Sequence, residues 1–199
     1  MKKTLMLSLL AGLLFTSSGC QQALKETVNE YSIVPLPNQM APQEGRFQLT
    51  DKISVVTAGC TPEVQTIADS LITHLRNVSG ISLQTEHAAA SCIRFVTTEG
   101  MPKEGYKLSV TPDEITLTAS QPNGFYYGVQ TIYQLLPPVV YGKEPAKRED
   151  WSLPAVEIED APRFPYRGLM LDVCRHFSSL DYIYKFIDML AMHKMNTCI

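Results

Sequence analysis

Six consecutive residues near the C-terminal end of the chain, residues 168–173, form an almost uninterrupted apolar run with a single aspartate. Such a run predicts a parallel strand buried on both faces, which needs covering elements on each side. Ser178 or Ser179 can cap a following helix, and its apolar stripe is formed by Ile183, Phe186, Ile187 and Leu190. Residues 197–199 can begin a second strand. The pattern therefore predicts a βα unit of a parallel α/β architecture, in a chain too short for a complete (β/α)8 barrel beside another domain.

An α+β domain is predicted over residues 31–138. A helix should begin at Thr61-Pro62-Glu63 and end at Gly80, because threonine caps, proline suits the first turn and glycine favours the left-handed end. A second helix is predicted over residues 125–136. Strands are expected at 53–56, 81–83 and 93–96 and in a hairpin over 106–119, which together predict a mixed or antiparallel sheet with two helices. We assign residues 139–161 to a linker that contains a short strand near 155–158.

The N-terminus has the layout of an export signal. Lys2 and Lys3 precede an apolar run over 5–15, small residues follow, and Cys20 comes directly after Ser-Gly. We interpret 1–19 as a lipoprotein-type signal peptide, Cys20 as the lipidated residue and 20–30 as a tether. The alternative is an ordinary cleaved signal with a chance cysteine. With lipidation, the protein would be exported and attached to a bacterial envelope membrane by its lipid anchor, without spanning the membrane.

Charge and cysteine spacing exclude several classes of function. The net charge is −3 and the chain has no cluster of basic residues, so nucleic acid is not an expected partner. No cofactor-binding motif or metal-ligand spacing is present, and we expect neither a cofactor nor a metal. For Cys60, Cys92, Cys174 and Cys198 we favour buried free thiols, with a Cys60–Cys92 disulfide as the alternative.

Charged residues surround the predicted buried strand. Arg167 comes before it, and Asp172, Arg175 and His176 lie at or just after its end. Charges beside a buried strand need partners, and in a barrel the C-terminal ends of the strands build the active site. Two interpretations remain from spacing alone: an Asp–Arg ion pair that fixes the loop, or a role in binding substrate.

Residues 162–168 and 171–177, with the sequences PRFPYRG and LDVCRHF, resemble the start of the catalytic barrel in family 20 glycoside hydrolases, the β-N-acetylhexosaminidases. Residues 191–196 resemble the approach to the second barrel strand. Upstream, 124–136 resembles the end of that family's N-terminal domain. The resemblance covers about residues 31–199 and implies an α+β domain followed, over 162–199, by the first βα unit of a truncated (β/α)8 TIM barrel.

The resemblance also implies a function. The family removes terminal N-acetylhexosamine from glycans by retaining hydrolysis in which the substrate's own acetamido group takes part. Arg167 matches an arginine that hydrogen-bonds sugar hydroxyls, and Asp172, Arg175 and His176 match positions that shape the site. The family's catalytic Asp-Glu pair belongs to a later strand, so this chain holds no catalytic residue and should be inactive alone. The alternative is a non-catalytic module that binds glycans or other proteins.

The match has two departures. Cys174 stands where the family often has serine or alanine. Ile199 stands where the resemblance leads us to expect the first histidine of a His-Trp-His segment.

Overall fold

The computed structural model describes residues 31–85, 91–146 and 149–199. The predicted signal peptide, Cys20 and the tether lie outside these residues. The described residues contain a seven-stranded mixed sheet, ordered β1-β7-β5-β6-β4-β2-β3. Its strands are β1 (Gln39–Gln48), β2 (Ser54–Val56), β3 (Gln84–Thr85), β4 (Cys92–Thr97), β5 (Tyr106–Val110), β6 (Glu114–Ala119) and β7 (Ser152–Asp160). The neighbours β1-β7-β5-β6 pair antiparallel. The neighbours β6-β4-β2-β3 pair parallel.

Two helices cover the sheet, as predicted. Helix α1 (Pro62–Ser79) ends at Gly80, which has the left-handed conformation. Thr61 occupies the position before the helix, but its side chain does not cap the backbone. Helix α2 (Pro122–Leu135) packs on β5 and β6 and contacts α1. Gly128 lets α2 approach β6 closely, because a Cβ atom there would overlap Leu117.

The assignment of 139–161 to a linker is corrected by the structure. A short 3-10 helix (Pro138–Tyr141) is followed by β7, which pairs with β1 on one side and β5 on the other. Six of the nine β7 residues are buried and the strand is paired on both sides, so these residues belong to the first domain. The sequence predicts only a short strand near 155–158, because charged residues precede β7 and Pro154 lies within it. Pro154 is tolerated there because it pairs beside a register shift in β1. We call residues 31–161 the sheet domain. Residues 81–83 form no strand, and β3 begins one residue later.

The last part of the chain is a βαβ unit. Strands β8 (Gly168–Leu169) and β9 (Thr197–Cys198) pair in parallel, joined by helix α3 (Leu180–Met192). The Ser179 hydroxyl accepts a hydrogen bond from the Tyr182 N–H at 3.3 Å, so Ser179 is the N-cap. β8 is shorter than the predicted strand over 168–173, because β9 offers it only two paired residues.

Apolar side chains of this unit are largely exposed. Met170 is 73% exposed, although the apolar run over 168–173 predicts burial, and Phe177 is 94% exposed. In the predicted α3 stripe, Leu190 is buried but Ile187 is 45% exposed. The βαβ unit therefore buries only the part of its surface that faces the sheet domain.

All four described cysteines are free thiols. Cys92 is buried, as predicted, whereas Cys174 and Cys198 are exposed, which differs from the prediction of buried thiols.

Within the described ranges, no helix combines the length and hydropathy that a membrane span requires.

Candidate functional site

Arg167 lies at the start of β8 and joins the βαβ unit to the sheet domain. Its Nη1 and Nη2 atoms lie 3.1 and 3.0 Å from the two carboxylate oxygens of Glu104, in a bidentate ion pair. Nη2 also donates to the Tyr127 hydroxyl at 3.0 Å, and Nη1 to the Phe164 carbonyl at 2.8 Å. Nε donates to the Lys194 carbonyl at 2.9 Å. These five contacts use the five N–H donors of a guanidinium group.

Glu104 is the centre of this first network. Besides Arg167, it accepts hydrogen bonds from the Tyr127 hydroxyl at 3.0 Å and the Asn196 amide at 3.4 Å. The hydrogen bonds from Arg167 hold the pKa of Glu104 below its ordinary value, so it is a carboxylate at neutral pH. Burial and the hydrogen bond to Glu104 raise the pKa of Tyr127 to about 12. The network therefore stabilises a carboxylate and a neutral phenol side by side.

A second ion pair crosses the same junction. Lys194 follows α3 with a positive φ of 56° and a buried side chain. Its Nζ lies 3.0 Å from Asp160 Oδ2 and donates to the Tyr106 hydroxyl at 2.8 Å. Burial lowers the pKa of Lys194, although the Asp160 carboxylate opposes this effect. Lys194 thus pairs across the junction, whereas its place in the sequence suggests only a charge near a helix end.

Asp172, Arg175 and His176 lie together just beyond the carboxyl end of β8. Asp172 Oδ1 accepts hydrogen bonds from the N–H groups of Cys174 and Arg175 at 3.0 and 3.1 Å, which fixes the turn. Arg175 Nε lies 3.4 Å from Asp172 Oδ2, and 85% of the Arg175 side chain is exposed. His176 is also exposed. We call these three residues the strand-end cluster. The cluster exposes the Arg175 guanidinium group to solvent at the carboxyl end of a parallel strand, where α/β proteins bind ligands.

The two arginines therefore occupy different environments. Arg175 forms the ion pair with Asp172 that was one of the two interpretations of the spacing. Most N–H donors of its exposed guanidinium group remain open to solvent. Arg167, for which the resemblance implied contact with sugar hydroxyls, has all its donors directed at protein acceptors and is 17% exposed in its side chain. Binding of a sugar by Arg167 would require breaking its contacts with the sheet domain.

Sequence reasoning missed the partners in the junction. Glu104 and Arg167 are 63 positions apart, and Tyr106 and Lys194 are 88 apart. No local periodicity links residues so distant. Among the described residues, no group of three or more histidine, cysteine, aspartate or glutamate side chains could hold a metal ion.

Comparison with known proteins identifies the family. Residues 30–161 match the sequence model of glycosyl hydrolase family 20, domain 2, and residues 164–198 match that of the family 20 catalytic domain. The chain belongs to glycosyl hydrolase family 20. The boundary between the two matches falls between β7 and β8, where the structure divides the sheet domain from the βαβ unit.

Individual relatives of this family 20 chain agree. A β-hexosaminidase of Porphyromonas gingivalis is 35% identical in an alignment 193 residues long, which covers 92% of this chain and 24% of the relative. A β-hexosaminidase of Vibrio furnissii is 32% identical over 83% of this chain and 25% of its own length. The solved structure of the family 20 β-N-acetylhexosaminidase from Streptomyces coelicolor A3(2) superposes with a TM-score of 0.76 at 32% identity, over 85% of this chain and 34% of that one. The chain thus spans about a quarter of the length of these curated relatives.

Proposed function

We propose that this chain provides the N-terminal domain and the first βα unit of the (β/α)8 barrel of a β-N-acetylhexosaminidase, which removes terminal N-acetylhexosamine from glycans. The observation that carries the proposal is the unbroken similarity across both parts. One hexosaminidase relative matches 92% of the chain, through the sheet domain and into the catalytic-domain segment. The names of the relatives also favour a glycosidase over a non-catalytic module.

Within this function, we assign contact with the sugar to the strand-end cluster. Arg175 supports this assignment because it is exposed at the carboxyl end of β8 and still has donors for vicinal hydroxyls. Asp172 would hold the turn that presents Arg175, and His176 would border the same opening. Arg167 would instead hold β8 against the sheet domain through Glu104 and Tyr127.

The chemical step requires groups beyond these. In substrate-assisted hydrolysis the acetamido oxygen attacks the anomeric carbon while a carboxylic acid protonates the leaving oxygen. Residues 162–199 contain no glutamate, so the barrel segment offers no candidate for the Asp-Glu pair that the family resemblance implies. We therefore expect the 199-residue chain alone to show no turnover of a chromogenic N-acetyl-β-glucosaminide.

The test is a chimera that restores the missing barrel. The part of the Porphyromonas gingivalis relative that follows its match to this chain is joined after Ile199, and hydrolysis of p-nitrophenyl N-acetyl-β-glucosaminide is measured. The proposal predicts turnover by the chimera and none by either part alone. The control replaces the chimera's acid glutamate by glutamine. A folded chimera that is inactive on both glucosaminide and galactosaminide substrates would overturn the proposal.

We also propose that the enzyme is exported and anchored by lipid at Cys20. The charged residues, apolar run and small residues before this cysteine support the proposal. A single diacylglyceryl-modified terminus would tether the protein to an envelope membrane through the polar residues 20–30.

A further inference from the structure

A cleft rich in tyrosine lies between α3 and the helices of the sheet domain. It has a volume of about 870 Å³, within the range of ligand-binding cavities. Five of the chain's tyrosines line it: Tyr126, Tyr133, Tyr141, Tyr182 and Tyr184. Four of these are between 38% and 62% exposed, so their rings are open to a ligand. We call this the tyrosine cleft.

Gln130 shows where a polar ligand would bind in the tyrosine cleft. It is only 8% exposed, and no hydrogen bond joins its side chain to any residue that the structure describes. The amide lies where the cleft joins a second cavity of about 410 Å³ along α1. Its amide atoms are open to the cavity and not sealed in the interior, since Ser54 Oγ is the one fully buried side-chain polar atom without a partner among the described residues. The Gln130 amide is therefore free to pair with a ligand that carries hydroxyl or amide groups.

The charges around the tyrosine cleft favour a neutral ligand. Lys143 and Lys185 are balanced by Asp181 and Asp188. An anion would meet the two carboxylates, and a purely apolar ligand would leave the Gln130 amide unpaired. A neutral sugar fits both constraints, since its C–H faces pack on aromatic rings and its hydroxyls pair with amides and carboxylates.

We propose that the tyrosine cleft binds a neutral oligosaccharide at a second site, away from the reaction. The identification of this ligand as an N-acetylhexosamine glycan rests on the proposed function. The cleft is separate from the strand-end cluster, because Asp172, Arg175 and His176 do not line it. It continues past Gln130 towards α1, where Thr66 and Ser70 lie, so it can hold more than one sugar unit. A second contact of this kind would raise the local concentration of a polymeric substrate near the barrel.

The test uses the full chain labelled with 3-fluorotyrosine and titrated with N,N′-diacetylchitobiose. In ¹⁹F NMR, the signals of Tyr126 and Tyr182 should shift and saturate with a Kd of about 1 mM or below. The signal of Tyr166, which is exposed but outside the tyrosine cleft, should not move.

Two variants probe the cleft independently. Gln130→Met keeps the length of the side chain and should raise the Kd about five- to tenfold, the loss expected for one or two hydrogen bonds. Tyr182→Ser removes an exposed ring, so it should weaken binding without disturbing the fold. Tyr166→Ser is the matched control and should leave the Kd within about twofold, a difference well below one hydrogen bond.

Three results would overturn the proposal: no shift of the cleft tyrosines, an unchanged Kd in both cleft variants, or tighter binding of a sulfated disaccharide than of the neutral one. Backbone amide shifts confined to Arg175 and His176 would overturn it as well, while supporting the proposed function. Saturable binding in the tyrosine cleft together with an inactive chimera would support this inference and refute the hexosaminidase proposal.

Discussion

Replacing Arg167 by alanine should release the βαβ unit from the sheet domain. The change removes all five hydrogen bonds of the guanidinium group and leaves the Glu104 carboxylate without its cation. Removing one member of a fully buried ion pair costs about 3–5 kcal/mol. The two side chains are 17% and 16% exposed, so we take the lower end, about 3 kcal/mol. That energy is equivalent to a factor of about 150 in an equilibrium constant.

Hydrogen exchange with mass spectrometry can localise this loss. We expect the backbone amides of α3 to exchange about 150-fold faster in Arg167→Ala, because the equilibrium constant for separation of the βαβ unit from the sheet domain rises by that factor. Trp151 is buried in the sheet domain, and its fluorescence should report an almost unchanged urea midpoint for that domain. Arg167→Lys should be intermediate, since lysine keeps the charge but not the planar fork.

Arg163→Ala is the matched control for this prediction. Arg163 is an exposed arginine four positions away, and its guanidinium carbon lies 5.6 Å from the centroid of the Phe164 ring in a cation–π interaction. It should leave exchange in α3 unchanged. Wild-type exchange rates in Arg167→Ala, or equal acceleration in both variants, would refute the account of the junction.

Three further predictions concern other parts of the chain. Because the pKa of Tyr127 is raised to about 12, above the value of about 10 in an unfolded chain, its contribution to stability is full below pH 10 and is lost as the pH rises towards 12. The free energy of unfolding should therefore fall less steeply between these pH values in Tyr127→Phe than in wild type, and equal slopes would contradict the assignment. Gly124→Ala should destabilise the sheet domain by about 2 kcal/mol in urea denaturation, since its Cβ would overlap the Gly105 carbonyl oxygen; an unchanged midpoint would show that the backbone yields. Cys20→Ser should abolish incorporation of radiolabelled fatty acid by a bacterial host, whereas Cys60→Ser should not; labelling that survives Cys20→Ser would rule out lipidation at this position.

Much of the sheet domain follows from the sequence because its signals are local. The start and end of α1 are given by Pro62 and Gly80, and the β5–β6 hairpin by alternating apolar residues. β7 was assigned to the linker because its place in the sheet depends on pairing with β1, more than a hundred positions away in sequence. The sequence therefore predicts only a short strand near 155–158 and not the place of that strand in the sheet.

The candidate site was predicted in part. The positions of Asp172, Arg175 and His176 after the strand follow from the run of residues before them. The environment of Arg167 does not, because whether an arginine is open or saturated depends on distant side chains such as Glu104 and Tyr127. The motif resemblance identified the family, and sugar contact by Arg167 stays a prediction beside the contacts that this arginine makes in the junction.

The proposed function places Arg175 at the sugar, whereas the contacts of Arg167 hold the βαβ unit against the sheet domain. The most direct measurement is kcat/KM of the active chimera carrying Arg175→Ala, together with its melting temperature. Loss of one or more charged hydrogen bonds to the sugar predicts a fall of about 10- to 150-fold in kcat/KM, with the melting temperature of the parent. An Arg175→Ala chimera with parental kcat/KM would contradict the account.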